Sequence, residues 1–218
     1  MTVGLTLGKY APLHRGHEFV FETALDEVDH LIVLVYDCPS VTSVPLSVRA
    51  DWIRSGYPTV EVIEGWAMPT GRAYGDRDDE RTHEQAIVDR LDGRDVDVFY
   101  SSEPYGGHVS DALDATDRRV DPERETVPIS STTIREATFE HRAFVPDRVY
   151  RDLITNVALL GGPSTGKTTL ARHLAETFDT EWMPEYGREY WMDNQVDGIL
   201  TSAQLVDLAE GHLEREDE

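Results

Sequence analysis

The sequence has 218 residues, of which 42 are Asp or Glu and 20 are Lys or Arg, so its formal net charge is -22. That length suffices for one large domain, or for one compact domain and part of a second. A chain this acidic argues against a nucleic-acid partner, because nucleic-acid-binding surfaces are basic. Like charges at this density also need salt to screen them, which indicates a halophilic protein.

Targeting and redox features are few. No apolar run approaches the roughly 18 residues that span a bilayer, and the N-terminal segment lacks a basic stretch followed by a cleavage site. We therefore expect a cytoplasmic protein with no membrane partner. Cys38 is the single cysteine, so the sequence excludes an internal disulfide and a cysteine-based metal cluster.

Strand-like and helix-like patterns alternate through the first half of the chain. Between the first two apolar runs, four apolar residues fall on one helix face, namely Phe21, Ala24, Leu25 and Val28. The predicted strands are 4–10, 30–37, 59–65 and 96–102, and further helices are predicted at 47–57 and 81–91. This alternation predicts an α/β fold with a parallel sheet, whose ligands bind beyond the carboxyl ends of the strands.

The remaining sequence predicts a second domain. Residues 102–130 are loop-rich, with at most a short helix and a short strand, and 131–141 predicts a helix. After a short connector, a strand, a glycine loop and a helix follow. We therefore expect one domain at 1–148 and another at 149–218. We expect the latter to be incomplete, because only 50 residues follow Thr168 and no later apolar strand ends in Asp.

The segment GGPSTGKT matches the phosphate-loop pattern G-x-x-x-x-G-K-[ST] and lies between a predicted strand and a predicted helix, the context that the pattern requires. Backbone N–H groups of such a loop bind phosphate, Lys167 can reach the β and γ oxygens of a nucleotide, and Thr168 can hold Mg²⁺. The predicted phosphate-loop residues are Gly161, Gly162, Pro163, Ser164, Thr165, Gly166, Lys167, Thr168 and Thr169. The alternative is a glycine turn that arose by chance.

A second candidate for phosphate binding lies in GKYAPLHRGHEFV, residues 8–20, between the first strand and the first helix. The two lysines of the chain, Lys9 and Lys167, fall one in each candidate. His14 and His17 lie where a helix dipole and free N–H groups favour an anion, so their imidazoles could donate hydrogen bonds to phosphoryl oxygens. Two alternatives stay open: a metal pair, for which no third ligand is evident, and a pair of core histidines.

These residues resemble the H-x-G-H nucleotidyltransferase superfamily, and ISSTTIR, residues 129–135, is similar to its second signature, I-S-x-T-x-x-R. The resemblance implies a Rossmann-like domain in which a phosphate group attacks the α-phosphorus of ATP and releases pyrophosphate. It implies catalytic roles for Lys9, His14, His17 and Arg135. It also implies ATP contacts from Gly8, Gly16, Ser102, Glu103, Gly106, Ser130 and Thr132.

The order of the parts resembles one family more closely, the bifunctional nicotinamide-nucleotide adenylyltransferases and ribosylnicotinamide kinases. The segments PLSVRADWIRSGYPTVEVI, SSEPYG and PEYGREYW are also similar to that family. The resemblance implies formation of NAD from nicotinamide mononucleotide and ATP with Mg²⁺ or a similar ion in the first domain. It implies phosphorylation of nicotinamide riboside in the second, with Glu185 or Arg188 as candidate substrate contacts. Trp66 could stack on the nicotinamide ring, although packing on its neighbours is the commoner role.

Other functions stay open. Some members of that family carry an N-terminal DNA-binding segment, for which this sequence leaves no room before His14, so DNA binding is not expected. One alternative is adenylyl transfer to a different phosphate acceptor, such as phosphopantetheine, FMN or a sugar or polyol phosphate. Another is a non-catalytic module that senses nucleotides. A homo-oligomer is compatible with each of these functions.

We predict that the folded state gains stability between low salt and molar KCl, because screening reduces repulsion among the acidic side chains. The measurement is the midpoint of thermal unfolding, followed by circular dichroism across a KCl series. A parallel series in sucrose separates charge screening from the general exclusion of solutes. A midpoint that stays level in KCl would contradict halophilic adaptation.

Overall fold

The computed structural model of the protein describes residues 1–69, 77–103 and 106–217. The chain forms two compact units, Met1–Ile154 and Thr155–Glu218. The first unit contains the β-sheet, whereas the described part of the second consists of helices joined by irregular segments.

Five parallel strands form one sheet in the order β3-β2-β1-β4-β5. The strands are β1 (Val3–Gly8), β2 (His30–Tyr36), β3 (Glu61–Gly65), β4 (Val98–Ser101) and β5 (Thr116–Arg119). The predicted α/β fold with a parallel sheet is therefore confirmed, and β5 is the short strand expected within residues 102–130. This strand is polar and mostly exposed because it forms an edge of the sheet.

Helices connect the strands and make up most of the second unit. They are α1 (Arg15–Glu27), α2 (Leu46–Gly56), α3 (Arg77–Leu91), α4 (Gly106–Leu113), α5 (Ser131–Glu136), α6 (Asp147–Leu153), α7 (Lys167–Phe178), α8 (Tyr186–Asn194) and α9 (Ser202–Asp217). The helix predicted at 131–141 is shorter than expected, because Ala137 leaves the helical conformation with φ -148° and ψ 68°. Among the described residues, no helix combines the length and the apolar character needed to cross a membrane.

The helices cover both faces of the sheet with apolar side chains. Successive residues of β2 point to opposite faces of the sheet. Leu31 and Val33 therefore pack in one apolar cluster, and Ile32 and Leu34 pack in another. The cluster that contains Leu31 includes residues of α1, α2, α5 and α6, and the cluster that contains Ile32 includes residues of α3 and α4. Because β2 is buried on both faces, its sequence is a continuous apolar run.

Helix α6 belongs to the first unit, which therefore extends past the boundary predicted at residue 148. Val149 is fully buried in the core. Trp52 Nε1 donates a hydrogen bond of 2.6 Å to Asp152, and Arg148 forms a 2.7 Å ion pair with Glu18. The sequence alone predicts a connector at α6, because the residues that hold this helix in place lie far earlier in the chain and local patterns do not reveal them.

The second unit differs from its prediction in one element. The sequence predicts a strand directly before the glycine loop, but the structure assigns no strand at residues 154–160, and Val157 is exposed. A strand needs a neighbour to satisfy its N–H and C=O groups. Within the described residues of this unit, strand pairing is limited to an isolated bridge between Val196 and Ile199, and Ala175 is the one buried residue. The described part of this unit therefore encloses almost no apolar core.

We predict that Arg148→Met lowers the free energy of unfolding of the first unit by about 1–3 kcal/mol, because the change removes a charged hydrogen-bond partner from the Glu18 carboxylate. Only 6% of the Glu18 side chain is exposed, so water cannot replace the lost partner. The measurement is urea unfolding monitored by tryptophan fluorescence.

Arg81→Met is the matched control, because Arg81 is exposed on α3 and its loss should change stability by less than about 0.5 kcal/mol. Equal effects of the two substitutions would show that the Arg148–Glu18 pair does not stabilise the fold.

Candidate active site

The strand order reverses between the neighbours β1 and β4. The helix that follows β1, α1, packs on one face of the sheet, and the helix that follows β4, α4, packs on the other. A crevice forms beyond the carboxyl ends of such strands. Here the crevice is a cavity of about 340 Å³, which is large enough for a small ligand. The loop after β1, the loop after β4 and the segment before α5 each contribute to its lining.

His14 is the N-cap residue of α1, and its ring lies against the start of the helix. Its Nδ1 accepts a hydrogen bond of 3.1 Å from the backbone N–H of Gly16. A Cβ at position 16 would lie 3.0 Å from the His14 ring, so glycine permits this close approach. Because Nδ1 is an acceptor, the proton of the neutral ring is on Nε2, which remains a donor.

His17 lies one helical turn further along α1 and also lines the cavity. Its ring stacks on that of His14, with 3.8 Å between centroids and 23° between planes. The ring of Tyr10 contacts it edge-on at 4.9 Å. Its Nδ1 is buried and has no hydrogen-bond partner among the described residues. The two imidazoles thus form one polar wall of the cavity.

Both histidines are neutral near pH 7. Burial, together with the smaller effect of the positive charge of Arg124, lowers the pKa of His14 from 6.5 to about 4. Burial also lowers the pKa of His17 well below its ordinary value, with additional contributions from His14 and Arg124. These imidazoles can therefore act as hydrogen-bond donors but supply no net charge. Among the described residues, no group of three or more metal-binding side chains converges here.

The loop after β1 is held by Arg49, which lies outside the two signatures and to which the sequence assigned no role. The Arg49 side chain is completely buried in α2, and its guanidinium donates hydrogen bonds to the carbonyl oxygens of Lys9, Tyr36 and Val44. A buried arginine joins the ends of β1 and β2 in this way and fixes the backbone that presents Lys9 to the cavity. The signal in the sequence is an arginine on the apolar face of α2, four residues before the buried Ile53.

The ISSTTIR segment docks on the same loop. Ser131 Oγ donates a hydrogen bond of 3.1 Å to the carbonyl of Pro12. Arg135 donates to the carbonyl of Ala11 and, at 3.0 Å, to Thr132 Oγ1. Ser130 caps α5, since its Oγ accepts from the N–H of Thr133 at 3.1 Å. The structure therefore brings the two sequence signatures together around one cavity.

Of the remaining residues of the first unit that were predicted to contact a ligand, some line the cavity and others do not. Gly8, Ser102 and Glu103 line the cavity. Gly106 begins α4 and is outside the lining, and a Cβ there would clash with Ser101 Oγ. Trp66 is also outside the lining; it is 48% exposed and donates a hydrogen bond to Glu64.

The phosphate loop of the second unit is followed by a helix, α7, as its sequence predicts. Gly166 caps α7 with φ +88°, a conformation that glycine adopts without strain. Lys167 Nζ donates to the carbonyls of Gly161 and Gly162 at 3.0 and 2.7 Å. Thr168 Oγ1 lies 3.4 Å from a carboxylate oxygen of Glu185. The loop therefore presents a lysine and a hydroxyl at the N-terminus of a helix.

The fold and these loops define the class of protein: an α/β protein with a parallel sheet and a phosphate-loop domain. Residues 156–218 match the family model described as AAA domain. The chain is similar to the trifunctional NAD biosynthesis/regulator protein NadR of Escherichia coli (strain K12), with 30% identity over 98% of this chain and 56% of that protein. The protein of the same name from Salmonella typhimurium is 31% identical over 86% of this chain and 49% of its own length.

These relatives confirm the family resemblance that the motifs predicted, and the chain is homologous to proteins named NadR. It spans about half the length of the curated relatives it matches. A crystal structure of a NadR protein in complex with NAD and AMP-PNP matches 99% of this chain and 65% of that chain, with a TM-score of 0.63 and 22% identity. One in complex with NR matches with a TM-score of 0.60 and 24% identity over 99% of this chain and 63% of that chain. These structures show that the fold is shared.

We predict that His14 makes the folded protein less stable on acidification. Its pKa is lower in the folded state than the ordinary 6.5, so between pH 6.5 and about 4 the unfolded chain binds a proton that the folded chain does not. As the pH is lowered across this window, the contribution of this group should reduce the free energy of unfolding by up to about 3 kcal/mol.

Urea unfolding of the wild-type protein and of His14→Gln, measured at several pH values, isolates this contribution from that of the carboxylates. The wild-type curve should be the steeper of the two. Parallel curves would mean that the His14 ring titrates normally and is accessible to water in the folded state.

Proposed function

We propose that the first unit transfers the adenylyl group of ATP to nicotinamide mononucleotide, giving NAD and pyrophosphate. The observation that carries the proposal is that Lys9, His14 and His17 line the same cavity as Thr132 and Arg135. The similarity to proteins named for NAD biosynthesis supports the choice of acceptor.

The cavity suits a polyphosphate. It lies at the N-terminus of α1, where backbone N–H groups and the helix dipole favour anions. Lys9 and Arg135 add positive charge from two different segments of the chain. Because the whole chain carries a formal charge of -22, this local concentration of cations is what allows an anionic substrate to bind.

The reaction requires one bond to form and one to break. A phosphate oxygen of the acceptor attacks the α-phosphorus of ATP, the bond from that phosphorus to the bridging oxygen breaks, and the electron pair leaves with pyrophosphate. Negative charge on the oxygens around the α-phosphorus and on the leaving group rises during this step. The Nε2–H donor of neutral His14 and the adjacent His17 ring are positioned to stabilise that charge without a proton transfer.

We assign phosphate positions in accordance with these contacts. His14 and His17 contact the α and β phosphates, and Ser130, Thr132 and Arg135 contact the β and γ phosphates. Mg²⁺ would arrive bound to ATP and would neutralise part of the triphosphate charge. Ser102 and Glu103, beyond the end of β4, lie where the nucleoside would be held.

The second unit is proposed to bind a nucleotide through its phosphate loop, as part of a ribosylnicotinamide kinase. The hydroxyl of Thr168 and the carboxylate of Glu185 are oxygen donors of the kind that Mg²⁺ prefers, and they are close enough to share one ion. A bound Mg²⁺ would neutralise charge on the nucleotide phosphates. Nicotinamide riboside is the substrate that tests for kinase activity.

The acceptor is tested by incubating the protein with ATP and Mg²⁺ in parallel tubes that contain nicotinamide mononucleotide, phosphopantetheine, FMN, a sugar phosphate or nicotinamide riboside. Mass spectrometry identifies the products. NAD formation in the first tube is the expected result. Adenylylated product in the phosphopantetheine, FMN or sugar phosphate tube alone would reassign the acceptor. Phosphorylated nicotinamide riboside would report kinase activity of the second unit, and no product in any tube would favour a nucleotide-sensing module.

We predict that His17→Ala lowers the turnover number for NAD formation by about 10²–10³, because one preorganised donor to the developing charge is lost. The affinity for ATP should change little. Steady-state kinetics with varied ATP and nicotinamide mononucleotide provide both quantities.

Lys167→Ala is the matched control, since it removes a phosphate-directed cation from the other unit. Its NAD formation should equal that of the wild type. A turnover in His17→Ala equal to that of this control would remove the catalytic role of the imidazole.

A further inference from the structure

The loop between β5 and α5 places Arg124 at the cavity. This arginine belongs to neither sequence signature. Arg124 lines the cavity together with Lys9 and Arg135, and these are the cations among its described lining residues. The acidic residues of the same lining are Glu103 and Asp121. The function of Arg124 therefore depends on which anion its positive charge binds in this cavity.

Hydrogen bonds hold the Arg124 loop in a defined shape. The carboxylate of Asp121 accepts N–H bonds of 2.8–3.1 Å from Glu125, Thr126 and Val127, and its carbonyl accepts the N–H of Arg124 at 2.9 Å. These backbone bonds engage the Asp121 charge and lower the pKa of its carboxyl. The Asp121 carboxylate is thus occupied by hydrogen bonds within the loop, and Arg124 lines the cavity.

Glu103 is the anion that Arg124 binds in this structure. Arg124 Nη2 lies 2.7 Å from Glu103 Oε1, and Arg124 Nη1 donates to the carbonyl of Ile129 at 3.3 Å. The two side chains are 38% and 46% exposed, and an ion pair this exposed contributes little to stability. A guanidinium binds carboxylate and phosphate oxygens with the same planar geometry. The carboxylate therefore occupies a position that a phosphate group can take.

The neighbouring imidazoles make this cation more important. His14 and His17 are neutral at pH 7, and the charge of Arg124 is one cause of their low pKa values. The histidine wall therefore depends on other residues for fixed positive charge. A polyphosphate that lies against the imidazoles would also be attracted by Arg124.

We propose that Arg124 is a third phosphate-binding cation of the cavity, which exchanges the Glu103 carboxylate for a polyphosphate anion such as pyrophosphate or the triphosphate of a nucleotide. The assignment of pyrophosphate as a reaction product rests on the proposed adenylyl transfer. Binding of the anion itself does not, so the two can fail independently.

The test measures the affinity of the full chain for inorganic pyrophosphate in the presence of Mg²⁺ by isothermal titration calorimetry. Arg124→Gln should weaken binding by about tenfold to a hundredfold, because charge-assisted hydrogen bonds are lost. Glu103→Gln should bind pyrophosphate as tightly as the wild type or up to about tenfold more tightly, because the competing carboxylate is gone. Arg142→Gln, an exposed arginine outside the cavity lining, is the control and should match the wild type.

The two substitutions separate an anion site from a structural ion pair. If the Arg124–Glu103 pair only held two loops together, Arg124→Gln and Glu103→Gln would weaken pyrophosphate binding equally, and this result would overturn the proposal. Unchanged binding in Arg124→Gln would also overturn it. Circular dichroism confirms that each variant is folded, and Arg124→Lys, which keeps the charge but not the planar fork, should be intermediate.

The same variants distinguish this inference from the proposed function. Weaker pyrophosphate binding in Arg124→Gln but not in Glu103→Gln, with no NAD formed by the wild type, would support the Arg124 site and contradict adenylyl transfer. NAD formation by the wild type together with unchanged pyrophosphate affinity in Arg124→Gln would support the function and contradict the site.

Discussion

The hydrogen bond from the Gly16 N–H to His14 Nδ1 is the interaction on which the candidate active site depends. It fixes the proton of the neutral imidazole on Nε2 and holds the ring at the start of α1. The glycine is needed because a Cβ at that position would meet the ring. The spacing H-x-G-H is thus a geometric requirement, in which the first histidine caps the helix and the second, one turn later, stacks on it.

The position of this pair within the sheet gives it access to a ligand. Because β1 and β4 are neighbours whose following helices pack on opposite faces, a crevice forms at their carboxyl ends. The buried Arg49 then holds the loop after β1 by its carbonyl oxygens, and Arg135 holds the same loop from the other signature. Two arginines thus anchor the backbone of one loop by hydrogen bonds from two different helices.

Charge distinguishes the site from the rest of the molecule. The chain is strongly acidic, yet the cavity gathers Lys9, Arg124 and Arg135 around two uncharged imidazoles. Burial keeps the imidazoles neutral, so that they donate hydrogen bonds at neutral pH without adding to the charge. In the proposed reaction the cations would attract the polyphosphate and the histidines would supply directed donors.

The sequence by itself determined the parallel α/β sheet, the phosphate loop and the two signatures, because apolar periodicity and glycine spacing are local properties of the chain. It could not determine the partners of Arg49 or Arg124, the attachment of α6 to the first unit, or the exposed position of Val157. Each of these depends on residues distant in the sequence: a carbonyl at the end of another strand, Glu103 on a separate loop, the buried Glu18, or a strand partner. Tertiary structure decided them because the burial of a charge and the pairing of a strand are properties of the neighbours that folding supplies.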